Sequence, residues 1–253
     1  MMELSRKQIK KRWVLLLAAV VIGVSLSPAI ANAAGITIIV SDFGELQERV
    51  NEANEGNTID LSPLEGKANN GDTIIVKVTK SLTFVGKNTS NNSIHAIDGV
   101  RFEIEDGVTV HFNDLYLRNN KNPNSIIFGE GNVVASNLVV FYWYNEFPVS
   151  FMDYPAAIDM DGDVTISGEL VEIGPGVVYP SSAITGCTVR ASSEDGKYGT
   201  AGTGIRATGT VTVSGSADVR GGDTYYPGCV GGRGIEAHDV NIVGVLRLSG
   251  GDF

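Results

Sequence analysis

The stretch GTGIRATGTVTVSGSADVRGG, Gly202 to Gly222, returns 30 residues later as GRGIEAHDVNIVGVLRLSGG, Gly232 to Gly251. The apolar rhythm is kept while most polar letters change. Aligned on Gly204 and Gly234, Ile205 matches Ile235 and Ala207 matches Ala237. After a one-residue slip, Val211 matches Val240, Val213 Ile242, Gly215 Gly244, Ala217 Leu246 and Val219 Leu248. Matched apolar residues lie two apart or across a turn, and a strand puts alternate side chains on one face, so they share an interior. Arg206/Glu236, Thr212/Asn241 and Asp218/Arg247 fall between them and face outward. A kept interior beneath a varying exterior marks a solenoid coil, which buries its inner face only against its neighbours. Adjacent coils lie about 4.8 Å apart. Arg206/Glu236 and Asp218/Arg247 are therefore expected in ion-pair range, as register marks worth about 0–1 kcal/mol each.

Earlier segments follow the same ruler. AIDMDGDVTISGEL sets Ile158, Val164, Ile166, Gly168 and Leu170 at the spacing of Ile205, Val211, Val213, Gly215 and Ala217. IFGEGNVVASNLVVF does so with Ile127, Val133, Ala135, Asn137, Val139 and Phe141. The isoleucine-to-isoleucine intervals are 31, 47 and 30, and the 47 holds either a long loop or an extra short coil around AITGCTVRASS. Four isoleucines, Ile127, Ile158, Ile205 and Ile235, are expected in one interior column. Further upstream, TIDL, TIIVKV, SLTFVG and VRFEIEDGVTVHFNDLYLRNN read as short strands between turns.

The chain opens differently. RKQIKKR, Arg6 to Arg12, is a basic region, WVLLLAAVVIGVSLS, Trp13 to Ser27, an apolar one, and ANA, Ala31 to Ala33, a small-x-small cleavage site. This is a secretory leader over 1–33, too short in its apolar part for a membrane span. The chain is thus expected to be exported, secreted or held at the cell surface, with no span after cleavage. Five of the 19 basic and one of the 29 acidic residues lie in the leader, leaving 14 against 28. No basic patch remains to follow a phosphate backbone, so nucleic acid is not an expected partner. SDFGELQERVNEANEGN puts Phe43, Leu46, Val50 and Ala53 on one helical face, with Asp42 and Glu45 as a capping box and Gly56 as a stop. An amphipathic helix ahead of the first strand closes the open end of a solenoid. The expected divisions are the leader (1–33), a strand and capping helix (34–57), and coils (58–253).

A capping helix, then GNTIDL, then coils of the form G-I-x-A…V-x-[VI]-x-G, resembles the right-handed parallel β-helix superfamily typified by pectate lyases. GIRATGTVTVSG is similar in wording to repeats of bacterial secreted and surface β-helix proteins. The resemblance spans about 36–251 and implies an all-β, right-handed parallel β-helix with an N-terminal capping α-helix. Its function it leaves open, since that superfamily includes lyases, hydrolases, adhesins and phage spikes. The hydrolase strings N-T-D, D-D, G-H-G and R-I-K are absent, as are the lyase strings W-I-D-H and R-x-P-x-x-R.

Direct signs of chemistry are sparse. GTGIRA and GRGIEA fit a dinucleotide pattern, but strands rather than helices follow the glycines, so no nucleotide is expected. DMDGD offers Asp159, Asp161 and Asp163 as calcium ligands, though the twelfth position of an EF-hand loop is Leu170, and a plain turn at Gly162 also accounts for them. His95, His111 and His238 fit no metal or triad motif, and Cys187 and Cys229 are a possible disulfide. In LVVFYWYNEF, Val139, Phe141 and Trp143 continue the inward phase. Leu138, Val140, Tyr142 and Tyr144 would then face outward, where Tyr142 and Tyr144 make a glycan-stacking strip unless FPVSFMDYP, Phe147 to Pro155, folds over it. The expected role is a non-catalytic surface or adhesin-type module binding an extracellular glycan or other cell-surface ligand. The alternative is a polysaccharide-active enzyme, a lyase before a hydrolase, using calcium. LSGGDF follows a coil directly, so self-association through an open C-terminal coil, or further polypeptide beyond it, is also expected.

Overall fold

The structure is a computed structural model that describes residues 35–69, 71–87, 96–119, 124–142, 154–174, 177–188, 200–224 and 230–251. The leader, His95, Tyr144 and Cys229 lie outside the described residues. From its N-terminus come β1 (Thr37–Ile39), helix α1 (Leu46–Glu52), β2 (Thr58–Asp60), β3 (Ile74–Val78), β4 (Thr83–Val85) and β5 (Ile97–Asp98). Then follow β6 (Val100–Ile104), β7 (Thr109–Asn113), β8 (Tyr116–Asn119), β9 (Ile127–Gly129), β10 (Asn132–Ser136), β11 (Val139–Tyr142), β12 (Ile158–Met160) and β13 (Val164–Gly168). The last are β14 (Leu170–Gly174), β15 (Val177–Pro180), β16 (Ser182–Thr185), β17 (Ile205–Ala207), β18 (Thr210–Arg220), β19 (Ile235–Glu236) and β20 (Asp239–Ser249).

These strands form three parallel stacks. The first runs β1-β2-β4-β7-β10-β13 and the front half of β18; the second runs β5-β8-β11-β16 and the rear half of β18. Because β18 belongs to both, they join as one 12-stranded sheet, with β20 paired along all of β18. The third stack is a 6-stranded sheet, β3-β6-β9-β12-β17-β19. From β6 onward the chain visits third, first and second stacks in rotation, a connectivity consistent with a solenoid-like parallel fold.

The expected interior column is present. Ile127 pairs with Ile158, Ile158 with Ile205, and Ile205 with Ile235. The first three are fully buried and Ile235 packs partly buried against the core. Val76 and Phe102 extend the column upstream. A second column runs Phe84, Phe112, Ala135, Ile166, Val213, Ile242, and a third runs Ile97, Leu117, Val140, Ile184, Val219, Leu248. Phe84, Phe102 and Phe112 fill the early coils with ring centroids 5.0–5.5 Å apart, so large aromatics there do what Ile and Val do later.

Helix α1 follows its periodicity. Leu46, Val50 and Ala53 are buried, and Phe43, in a short 3-10 turn ahead of it, packs against the same core. Asp42 accepts hydrogen bonds from the Gly44 and Glu45 backbone N–H groups, while the Glu45 carboxylate accepts from Ser41 N–H. The helix ends at Ala53 in extended conformation, and Gly56, at φ +78°, makes the turn beyond it.

Two expectations are corrected. Among the described residues of the 47-residue interval, an inserted hairpin rather than an extra coil interrupts the repeat. The antiparallel hairpin β14–β15 is inserted after the Gly168 corner, Leu170 is exposed on it, and Ala217 pairs instead with Ser182 of β16. The register marks also bond elsewhere. Arg206 does face Glu236 and Asp218 does face Arg247. Yet Arg206 pairs with Asp159 one coil earlier, Glu236 with Arg233 at 3.3 Å, and Asp218 with Arg220 two residues along its own strand. Asp159 thus takes Arg206, and Arg220 takes Asp218.

Candidate functional site

The inward–outward phase of β11 is the reverse of the one the repeat suggests. Leu138, Val140 and Tyr142 are buried in the main core, Tyr142 to 1 % exposure, while Val139 joins Ala96 and Tyr116 in a small outer cluster with Phe141 and Ala183 against it. The cause is Asn137. It turns the corner between β10 and β11 at φ +53°, as Asp114 does between β7 and β8, and its Nδ2 donates to Asp114 Oδ1 at 2.9 Å. A one-residue left-handed corner flips the parity of the strand that follows. The last two coils place two residues there, Gly215–Ser216 and Gly244–Val245, and so keep parity through eleven residues. Tyr142 therefore offers no exposed ring for a sugar to stack on, and Tyr144 lies outside the described residues.

The three aspartates of DMDGD take separate tasks. Asp159 accepts from Arg206 Nε at 2.8 Å and from a second guanidinium nitrogen. Asp163 Oδ1 accepts from Thr210 N–H at 2.7 Å, capping the turn of the next coil. Asp161 is exposed, and its backbone carbonyl accepts from the Thr208 hydroxyl. Among the described residues no group of three or more His, Cys, Asp or Glu side chains is placed to hold a metal ion.

Asp159, Asp161 and Arg206 nevertheless line a groove of about 510 Å³ on the outer side of the third stack, with Phe128, Glu130 and Thr208. Register explains the grouping. Glu103, Phe128, Asp159, Arg206 and Glu236 occupy one outward row across β6, β9, β12, β17 and β19. Lys77 precedes them and bonds Glu103 at 3.6 Å. The row alternates charge around a single aromatic. Phe128 is half-buried, and the Arg101 guanidinium lies 4.3 Å from its ring centroid, a cation–π contact. Arg101 is itself buried and donates from Nε to the Ser125 carbonyl at 2.6 Å; burial pulls its guanidinium below the usual arginine range. Asp159, foremost by its hydrogen bond, raises Arg206 instead. Among the lining residues, Gly129 stands at φ +131°, and an added Cβ would come 2.1 Å from the Ile104 carbonyl oxygen of the coil before, so conformation and close approach demand glycine there.

Chemically the groove offers an aromatic edge and several charged groups. An aromatic edge, a bidentate guanidinium–carboxylate pair and two further carboxylates present donors and acceptors on a surface held by in-register strands. Both Asp159 oxygens are already occupied by Arg206. In the sequence, Asp159, Asp161 and Asp163 stand out as calcium ligands and Arg206 as a register mark, whereas nothing there singles out Phe128. Stacking the repeats by rung would have found Phe128, as the one aromatic in an outward row of charges.

Two other polar features lie apart from the groove. Asp98, 1 % exposed on β5, bonds Arg118 through Oδ2 at 3.1 Å, and its Oδ1 has no hydrogen-bond partner among the described residues. Cys187 is a free, buried thiol whose ionisation burial opposes. The chain matches no family model, no curated protein and no solved structure in the three comparisons made.

Proposed function

We propose that this chain is an exported, non-catalytic surface or adhesin-type module. In this reading it is a right-handed parallel β-helix of the pectate-lyase-like kind, with α1 closing its first coil, and it binds an extracellular glycan in the third-stack groove. The observation that carries the reading is the outward row itself, with Phe128 beside the Asp159–Arg206 pair in the groove. Aromatic edges and paired, charge-neutralised donors and acceptors suit sugar faces and hydroxyls. The leader pattern at 1–33 supports export, and the acidic balance of the remaining chain favours neutral over acidic polymers.

The test is a glycan array read with wild type, Phe128→Ala and Asp159→Asn. Binding of a neutral glycan by wild type, weakened about tenfold or more in both variants, is the expected result. Equal signals from all three proteins would remove the groove from the account. Incubation with polygalacturonate and alginate, with and without calcium, addresses the lyase alternative. Unsaturated uronide products would overturn the non-catalytic reading.

A further inference from the structure

We propose that the outer face of the first stack is an ice-binding surface, whose partner is the lattice of solid water. It is separate from the third-stack groove and independent of glycan binding. Register sets two outward rows across this face, from β1 to β18. One runs Thr37, Thr58, Thr83, His111, Val134, Thr165, Thr212. The other runs from Ile39 to Ser214 and includes Asn113, Ser136 and Ser167. Between them lies the fully buried column of Phe84, Phe112, Ala135, Ile166 and Val213, so both rows face out, and every side chain in them is half-buried or exposed.

The residues chosen here are the reverse of those on the third stack. There the outward row Lys77, Glu103, Phe128, Asp159, Arg206, Glu236 is charged at every position but one. Neither first-stack row holds Lys, Arg or Glu, and the single acid, Asp60, accepts from Ser62 N–H at 2.9 Å. Strand propensity favours threonine, but it acts on both stacks alike, and only one of them excludes charge. An ion needs liquid water or a counter-ion around it, and a solid that offers neither rejects it. Phe, Tyr and Trp, the rings on which pyranose faces stack, are missing from both rows as well. What remains is an array. Each threonine holds a hydroxyl and a methyl on a stiff β-branched stem. The stems repeat about every 4.8 Å along a row, with the next row about 6.6 Å away, and seven rungs extend over about 29 Å. A single hydroxyl gains little by exchanging one water for another. A rigid array gains when its partner repeats as it does, because the fold has already ordered the groups and all contacts form together. Ice is such a partner: an uncharged lattice of donors and acceptors with repeats of this size.

The test is ice growth in a solution of the purified chain. Wild type should hold back growth below the melting point, facet the crystal, and be enriched in slowly frozen ice. Thr165→Lys and, independently, Thr58→Lys should each shrink the gap between melting and growth temperatures about tenfold, since each sets an ion against the lattice. Both side chains point outward, and circular dichroism checks that the variants stay folded. Thr165→Ser, which keeps the hydroxyl, should retain more of the gap than Thr165→Lys. Asp106→Lys, a charge change in the exposed turn ahead of β7, should match wild type. Growth of ice at the melting point with wild type excluded from it would overturn the proposal. So would equal gaps in wild type and both lysine variants, or retention on microcrystalline cellulose or chitin, abolished by Thr165→Lys, with no effect on ice.

Discussion

At Gly215 the backbone stands at φ +70°, and an added Cβ would come 2.3 Å from the Gly168 carbonyl oxygen of the coil before. Conformation and close approach both demand glycine there. Gly215→Ala should cost about 1–3 kcal/mol by urea unfolding, whereas Asn137→Gly, at a corner with φ +53° but a side-chain bond to Asp114, should cost less. Within the isoleucine column, Ile158→Ala should cost about 2–5 kcal/mol, because stacked neighbours above and below cannot collapse into the space. Arg206→Ala, which removes a half-exposed ion pair, should stay within about 1 kcal/mol. Cys187 adds a pH dependence. Burial raises its thiol, so the native state holds that proton more tightly than the unfolded chain does. The stabilisation is complete below the unfolded thiol's pKa of about 8.5 and falls as pH rises beyond it. Tyr116, also raised by burial, adds a loss of the same sign beyond about pH 10. Urea midpoints of wild type should therefore decline above about pH 8.5, and less steeply in Cys187→Ala. A thiol reagent should label Cys187 only after denaturation.

Among the elements, β11 decides how far a repeat can be transferred. Tyr142→Ala should cost about 3–5 kcal/mol and Phe141→Ala about 1 kcal/mol or less, since Tyr142 is buried in the core and Phe141 lies outside it. Equal losses in calorimetry or urea unfolding would contradict the phase assigned here. The sequence alone carries the opposite phase, for a physical reason. Even spacing in β18 and β20 arises because their corners hold two residues, and nothing in the apolar pattern of LVVFYWY distinguishes that from a one-residue corner when both faces are apolar. Where the outer face is polar, as in β17–β18, the pairing Ile205–Ile235 and Val211–Val240 was legible letter by letter. The hairpin β14–β15 was hidden for a different reason. Leu170 falls on the repeat's apolar position by coincidence, and only the antiparallel pairing to Pro180 shows that the coil is interrupted. The groove was half legible. Asp159 and Asp161 drew notice for their carboxylates, but bringing Phe128 and Arg206 beside them requires the rungs to be stacked first.

At the scale of the whole molecule, the core and the outer groove come from one device, the in-register stacking of parallel strands. Inward rows of Phe, Ile and Val make the core; outward rows, free to vary, make the groove. Each coil buries its interior against its neighbours, as Ile158 is buried between Ile127 and Ile205. Side-chain exposure and register therefore both rest on the same three columns. The most direct measurement of that claim is a crystal structure of the chain. The account predicts Ile127, Ile158, Ile205 and Ile235 in successive steps of about 4.8 Å down one interior column, with Phe128, Asp159 and Arg206 on the matching outer rungs. Density that placed those four isoleucines on separate sheets, or put Phe128 and Arg206 on opposite sides of the molecule, would contradict it.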